Sequence, residues 1–228
     1  MTDSHDLLRE IKTLLPSPAN LANISASQPD DIYEAFVFFL VVRLAHDRGA
    51  MVRFTDHMQR RTSDLKFRRS PGQLYANDHS YTHAVIQFGL TPPLEVHIGI
   101  RVQGGSGVLH EVDVLMLPQE EAEISRQARV APRASKCNLV IECKHYTSAS
   151  LDLGLARNFQ GLHSDLHVKH SYFVSNRDSL NVARYLQGQR REYEQRVAPG
   201  RDEAMFLQAK VRDAFREYLV KHDPTIAI

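Results

Sequence analysis

The sequence predicts an α/β fold, a central mixed β-sheet flanked by helices, with further helices at both ends of the chain. Three observations predict it. Residues 94–102, LEVHIGIRV, alternate apolar and polar side chains with the period of a strand. The turn Gly104-Gly105-Ser106-Gly107 joins them to a second strand-like run, residues 108–117. A third run, residues 138–146, is followed by a helical stripe and then by residues 171–176, SYFVSN. That helix is long enough for a parallel crossover.

Size and composition set the frame. A chain of 228 residues suits one large domain with a substantial core. We expect a single domain over 1–228, its core at about 94–176 with helix 29–48 packed on it. Apolar residues make up 43 % and charged residues 24 %, as in an ordinary globular chain. A net charge of +1 argues against a broad basic surface and leaves room for a local basic cleft. The two cysteines, Cys137 and Cys143, supply neither a disulfide framework nor a Cys-x-x-Cys zinc pair. A cytoplasmic location is therefore expected. The acidic, polar N-terminus is unlike a signal peptide. The most apolar run, residues 35–45, contains Arg43 and is too short to span a bilayer, so no membrane partner is expected.

Each element follows from its pattern. Residues 6–15 place Leu7, Leu8, Ile11, Leu14 and Leu15 on one helical face, and Pro16 and Pro18 end it. Ser25 or Ser27 is positioned to cap a helix over about 29–48. Apolar residues nearly encircle that helix, which predicts a central, buried position. Residues 55–80 have no clear period and read as loops with at most short elements. On the strand at 94–102, Val96, Ile98, Ile100 and Val102 face one way, and Glu95, His97 and Arg101 the other. Pro118 stops the strand 108–117, an acidic stretch follows, and residues 126–136 read as irregular. Ser150 or Asp152 can cap a helix to about 167 striped by Leu151, Leu155, Phe159, Leu162 and Leu166. Helices are predicted over 178–194 and 202–221, separated by Pro199-Gly200.

The chemistry lies where ionisable residues interrupt these strands. Asp113 breaks an apolar run, and an isolated buried carboxylate is costly, so it must be paired, metal-bound or near the surface. In VIECKHY, Val140, Glu142 and Lys144 share one side, and Ile141, Cys143 and His145 the other. Cys143 therefore reads as a packing residue. If the two strands are neighbours, Asp113, Glu142 and Lys144 meet. Two carboxylates suit a hard divalent cation, chiefly Mg²⁺, with Mn²⁺ able to substitute. Such an ion polarises a phosphoryl oxygen and activates water, while Lys144 orients that water or stabilises developing charge. No serine or cysteine is placed for a nucleophilic triad.

Asp113 in HEVDVLML and Glu142 with Lys144 in VIECKHY give the chain a pattern that resembles the PD-(D/E)xK nuclease superfamily, similar to its Mrr-like branch. The resemblance covers mainly residues 94–176, and Val112 stands where the family name has proline. It implies a restriction-endonuclease-like core and Mg²⁺-dependent hydrolysis of DNA. It also implies that Asp113 and Glu142 bind metal and that Lys144 is catalytic. By the same resemblance Glu34 is a further metal ligand and Gln160 a further catalytic residue. Glu34 is alternatively a favourable acid near a helix start, and Gln160 an ordinary surface amide.

DNA is the expected partner, with RNA open. Basic clusters at Arg60, Arg61, Lys66, Arg68 and Arg69, and at Arg184, Arg190, Arg191 and Arg196, are either tracks for a phosphate backbone or solvated faces. Arg157, one turn before Gln160, is a candidate phosphate contact. His110 and His145 fall on strand sides away from the acidic set. His163 and His167 lack the His-Glu-x-x-His form of a zinc peptidase. Two other readings compete: a nuclease-fold module that binds nucleic acid without cutting it, and a protein-interaction subunit of a defence or repair complex. A homodimer would supply two sites for two strands.

Overall fold

The computed structural model describes residues 3–77, 80–147 and 151–223, so the candidate cap Ser150 lies outside the described residues. The chain runs α1 (Ser4–Leu14), α2 (Ala22–Ser25), α3 (Pro29–Asp47), β1 (Met51–Asp56), β2 (Thr82–Gln87), β3 (Leu94–Gln103) and β4 (Leu109–Pro118). It continues with α4 (Gln119–Ala128), a short 3-10 turn (Ala134–Lys136), β5 (Leu139–Lys144), α5 (Leu153–Leu166), β6 (Ser171–Ser175), α6 (Leu180–Gly188), β7 (Glu192–Glu194) and α7 (Ala204–His222). The strands form a seven-stranded open sheet in chain order. Neighbours from β1 to β5 are antiparallel, and β5, β6 and β7 are parallel through the α5 and α6 crossovers. The protein is thus α/β with a mixed sheet between helices.

Helix α3 organises one layer. It starts at Pro29, whose missing N–H costs nothing in a first turn, and the Asp31 carboxylate accepts from the Gln28 backbone N–H at 3.3 Å. Gln28, not Ser25 or Ser27, is therefore the residue at the cap. Ile32, Tyr33 and the run from Ala35 to Val42 are all buried. They pack on the sheet through Val96, Val114, Met116, Ile141, Cys143 and Val174, with α1 and α7 alongside. Phe38, Phe39, Phe54 and Phe67 fill this layer with edge-to-face ring contacts. The other layer holds α4 against Leu115, Leu117 and Val140, and α5 and α6 against Phe173.

Several expectations are corrected. Strands β1 and β2 were not foreseen, because Arg53, Asp56, His83 and Gln87 blur their alternation. The acidic stretch after Pro118 is helical, and α4 buries Glu121, Ala122 and Ser125. The helix expected over 178–194 ends at Gly188, and β7 follows. Glu95 and His97 are fully buried, because α4 and the segment between β1 and β2 cover that side of the sheet.

That segment is anchored rather than loose. Leu65 and Leu74 are buried. Gly72 donates to the Gly99 carbonyl at 2.9 Å and accepts from the Arg101 N–H at 2.9 Å. Strand β2 pairs with β3 only over residues 94–96, so this contact covers the edge of β3 that β2 leaves bare.

Candidate active site

The site forms where β4 and β5 part. Their pairing runs Met116↔Leu139, Leu115↔Val140 and Val114↔Ile141, and the recorded register ends there. One step further on, Asp113 uses its side chain in place of the ladder: Oδ2 accepts the Cys143 backbone N–H at 2.7 Å. The same oxygen lies 3.4 Å from Lys144 Nζ, which is also 2.7 Å from Glu142 Oε1. The two carboxylates and the lysine expected to meet therefore do meet, with the ammonium between the acids.

Strand β3 also changes character opposite Asp113. Ile98 pairs with Val114 and Ile100 with Val112, but no pair is recorded between Gly99 and Asp113. Gly99 takes a left-handed backbone, φ +63°, which glycine adopts without a Cβ penalty. Across this point the apolar alternation slips: Ile98 and Val114 belong to the α3 layer, while Ile100 and Val112 pack in the opposite one.

Helix α3 brings Glu34 to the same place from the other layer. Burial, reinforced by Asp113 and Asp31, pushes its carboxyl up to about 9. Burial and then the Asp113 charge push Glu142 up to about 7, against the pull of Lys144. Asp113 is raised by burial, partly offset by Lys144 and the Cys143 N–H. Lys144 is raised by the two carboxylates despite its own desolvation, so it is firmly charged. Glu111, two residues before Asp113 on the same strand, also belongs to this field: burial and the Asp113 charge raise its carboxyl.

An open cavity of about 430 Å³ leads to the acids, lined by His110, Glu111 and Glu142 and by Arg157, Asn158, Phe159, Gly161 and Leu162 of α5. Arg157 is thus beside the site and exposed. His110 is corrected: it lines this cavity rather than the far face. Its Nε2 lies 2.6 Å from Asp165 Oδ2 near the end of α5. His145 sits away from the acids, against the Tyr33 ring at 5.2 Å. Cys143 packs beneath α3, and burial holds its thiol well above the ordinary value.

Other candidates are differently placed. Gln160 donates to Ser164 Oγ at 3.1 Å and accepts from Arg191 Nε at 2.7 Å, so its amide joins α5 to the start of β7 rather than to the carboxylates. Arg191 is held by that contact, and Arg190 is exposed beside it in a left-handed conformation. Arg68 donates to the Gln73 carbonyl and stacks 3.8 Å over the Tyr81 ring, a structural use of the guanidinium. Arg69 is exposed and lines a separate cavity of about 300 Å³ with Lys66 and Arg68.

The donor set fits a divalent cation on charge. Burial and then the Asp113 charge raise the proton affinity of Glu34, Glu111 and Glu142 around one ammonium, and burial raises that of Asp113 itself. These carboxyls are all hard oxygen donors. They are not gathered like a filled site. Among the described residues, three His, Cys, Asp or Glu donors lie within 4.8 Å of one another only at His83, Glu95 and His97. Among the described residues no helix is long and apolar enough to cross a membrane. Comparison with known families, curated proteins and solved structures found no match.

Proposed function

We propose that the protein is a Mg²⁺-dependent endonuclease of the PD-(D/E)xK type, hydrolysing phosphodiester bonds of DNA on a restriction-endonuclease-like core. The observation that carries this reading is the meeting of Asp113, Glu142 and Lys144 where β4 and β5 part, with Glu34 supplied by α3. Asp113 and Glu142 would hold the cation, with Glu34 as a further carboxylate, and Mn²⁺ would substitute. Bound there, the ion would supply Lewis acidity toward phosphate and water. Lys144, kept protonated by its two carboxylate neighbours, places positive charge beside the acids and can stabilise a phosphate oxygen as charge grows on it. Arg157, at the cavity mouth, is positioned to bind a neighbouring phosphate.

The test is metal-dependent nicking of plasmid DNA. Asp113→Ala and Lys144→Ala should each lose activity at least about a hundredfold while keeping the far-ultraviolet dichroism of the parent. Full activity in both would overturn the assignment. A second reading, a nucleic-acid-binding module that does not cut, draws on the ammonium of Lys144 lying between the acids and on Gln160 facing Arg191. DNA binding with no cleavage in Mg²⁺ or Mn²⁺ would favour it.

A further inference from the structure

Strands β2 and β3 carry a second cluster of ionisable groups that shares no residue with the carboxylate site. The register Ala84↔Val96 sets His83 across from His97, and Glu95 lies two residues before His97 on the same face. All three side chains are fully buried. The imidazoles stack at 4.6 Å with planes 16° apart. Glu95 Oε2 is 2.8 Å from His97 Nε2 and 3.6 Å from His83 Nε2. Arg126 of α4 grips both carboxylate oxygens and is itself slightly exposed.

Hydrogen bonding accounts for only part of this cluster, the bonds of His97 Nε2 and Arg126 to Glu95. Among the described residues, neither ring nitrogen of His83 has a hydrogen-bond partner, nor does Nδ1 of His97. Buried polar atoms without partners are costly and rare, and an ion is one of the few things that satisfies them. Two neutral imidazoles and a carboxylate are the ligand set of borderline transition metals rather than of Mg²⁺ or Ca²⁺. One donor atom from each residue falls within 4.8 Å of the others. Donors bonded to one ion at about 2.0–2.1 Å lie at most about 4 Å apart, so two separations already fit and closure takes a small shift. Burial also keeps both imidazoles unprotonated at neutral pH, the form a metal needs.

We propose that His83, Glu95 and His97 form a binding site for a divalent transition metal of the zinc class, with Arg126 as the cation that holds Glu95 when no metal is bound. Guanidinium and metal compete for the same carboxylate oxygens. Metal entry would release Arg126 toward solvent, and metal affinity would be the outcome of that exchange. The three ligands are closed off from the surface, and the fourth position of a tetrahedral ion would be left to water.

Cobalt titration tests this on the full chain carrying Asp113→Asn, which disables the other site. One equivalent of Co²⁺ should give a visible d–d band that Zn²⁺ abolishes. Arg126→Met should tighten Co²⁺ binding at least tenfold. His83→Leu, which removes both partnerless nitrogens, should abolish the band. The proposal is overturned if no band forms in either the parent or Arg126→Met, or if the band survives in His83→Leu. X-ray absorption of the Zn²⁺-loaded Arg126→Met protein gives a readout that needs no histidine variant. Two imidazole scatterers support the site, and an oxygen-only shell sinks it.

Discussion

Asp113 does two jobs with one oxygen. It faces Lys144 in the acidic pocket, and it replaces the backbone acceptor that the Cys143 N–H would otherwise need. Truncation to alanine leaves a buried donor unsatisfied, at a cost of roughly 1–3 kcal/mol. Asp113→Asn is therefore the cleaner probe of chemistry. Glu34 presents the opposite case, a residue that works against stability in the metal-free protein. Its carboxyl is raised from 4.5 to about 9. A raised carboxyl stabilises the fold fully below its unfolded value, and that contribution is lost as pH rises through the folded value. Glu34→Gln should thus leave stability near pH 5 almost unchanged. Above the unfolded value the metal-free variant should gain on the parent by about 1.4 kcal/mol per pH unit, several kcal/mol by about pH 8.5, with a matching rise in Tm. Calorimetry at the two pH values checks it, and an equal shift at both would contradict the assigned environment.

At the scale of elements, the β3–β4 hairpin is fastened to the end of α5. Asp165 accepts from the Ser106 backbone N–H at 2.7 Å and from its hydroxyl at 2.6 Å, and it contacts His110 at 2.6 Å. A Cβ on Gly104 would meet Asp165 Oδ2 at 2.2 Å, so glycine is what lets the carboxylate come this close. The Ser106 hydroxyl, the His110 ring and the Ser106 N–H hold the Asp165 carboxyl down at about 2. The sign follows: a depressed carboxyl stabilises the fold above its unfolded value of 3.8, and that support is lost as pH falls toward 2. Asp165→Asn should lower Tm near pH 7, and the gap to the parent should narrow as pH falls below about 4 and close only below about pH 2. A gap independent of pH would mean the carboxylate charge is not what fastens the hairpin.

The same elements show what was legible beforehand. The hairpin, the strand–helix–strand unit and the encircled α3 were readable, because each carries its period over a long enough run. Asp113, Glu142 and Lys144 were readable because ionisable groups interrupting apolar strands need a shared reason. The slip at Gly99 was not readable, since a period-two pattern assumes an unbroken pleat. For that reason His110 was assigned to the wrong face. The burial of Glu95 and His97 was equally hidden: it depends on Arg126 of α4 and on Tyr81, whose ring lies 6.4 Å from that of His97 under the Arg68 guanidinium, all distant in sequence. Gln160 lies beside the apolar stripe of α5 as read, but helical spacing could not show that β7 would bring Arg191 to its amide.

For the molecule as a whole, one sheet carries two charged centres of opposite design. Glu95 is neutralised by Arg126 in a closed setting, while the acids around Asp113 exceed the positive charge available to them and open on a cavity. Cation binding at the second centre should therefore expel protons. With Glu142 near 7 and Glu34 near 9, Mg²⁺ loading at about pH 7 should release between roughly one and two protons. Isothermal titration in buffers of differing ionisation enthalpy reads this number directly, and a value of zero would separate Mg²⁺ from these carboxyls.

The parting of β4 and β5 has a further consequence for how the chain assembles. Antiparallel neighbours β1 to β4 are close in sequence, whereas the acidic pocket needs β5 paired, α5 laid across it and α3 docked from the opposite layer. The pocket is therefore completed only when both layers have closed on the sheet. Gathering these carboxyls raises their proton affinity, so completing the pocket should take up protons, or a divalent ion in their place.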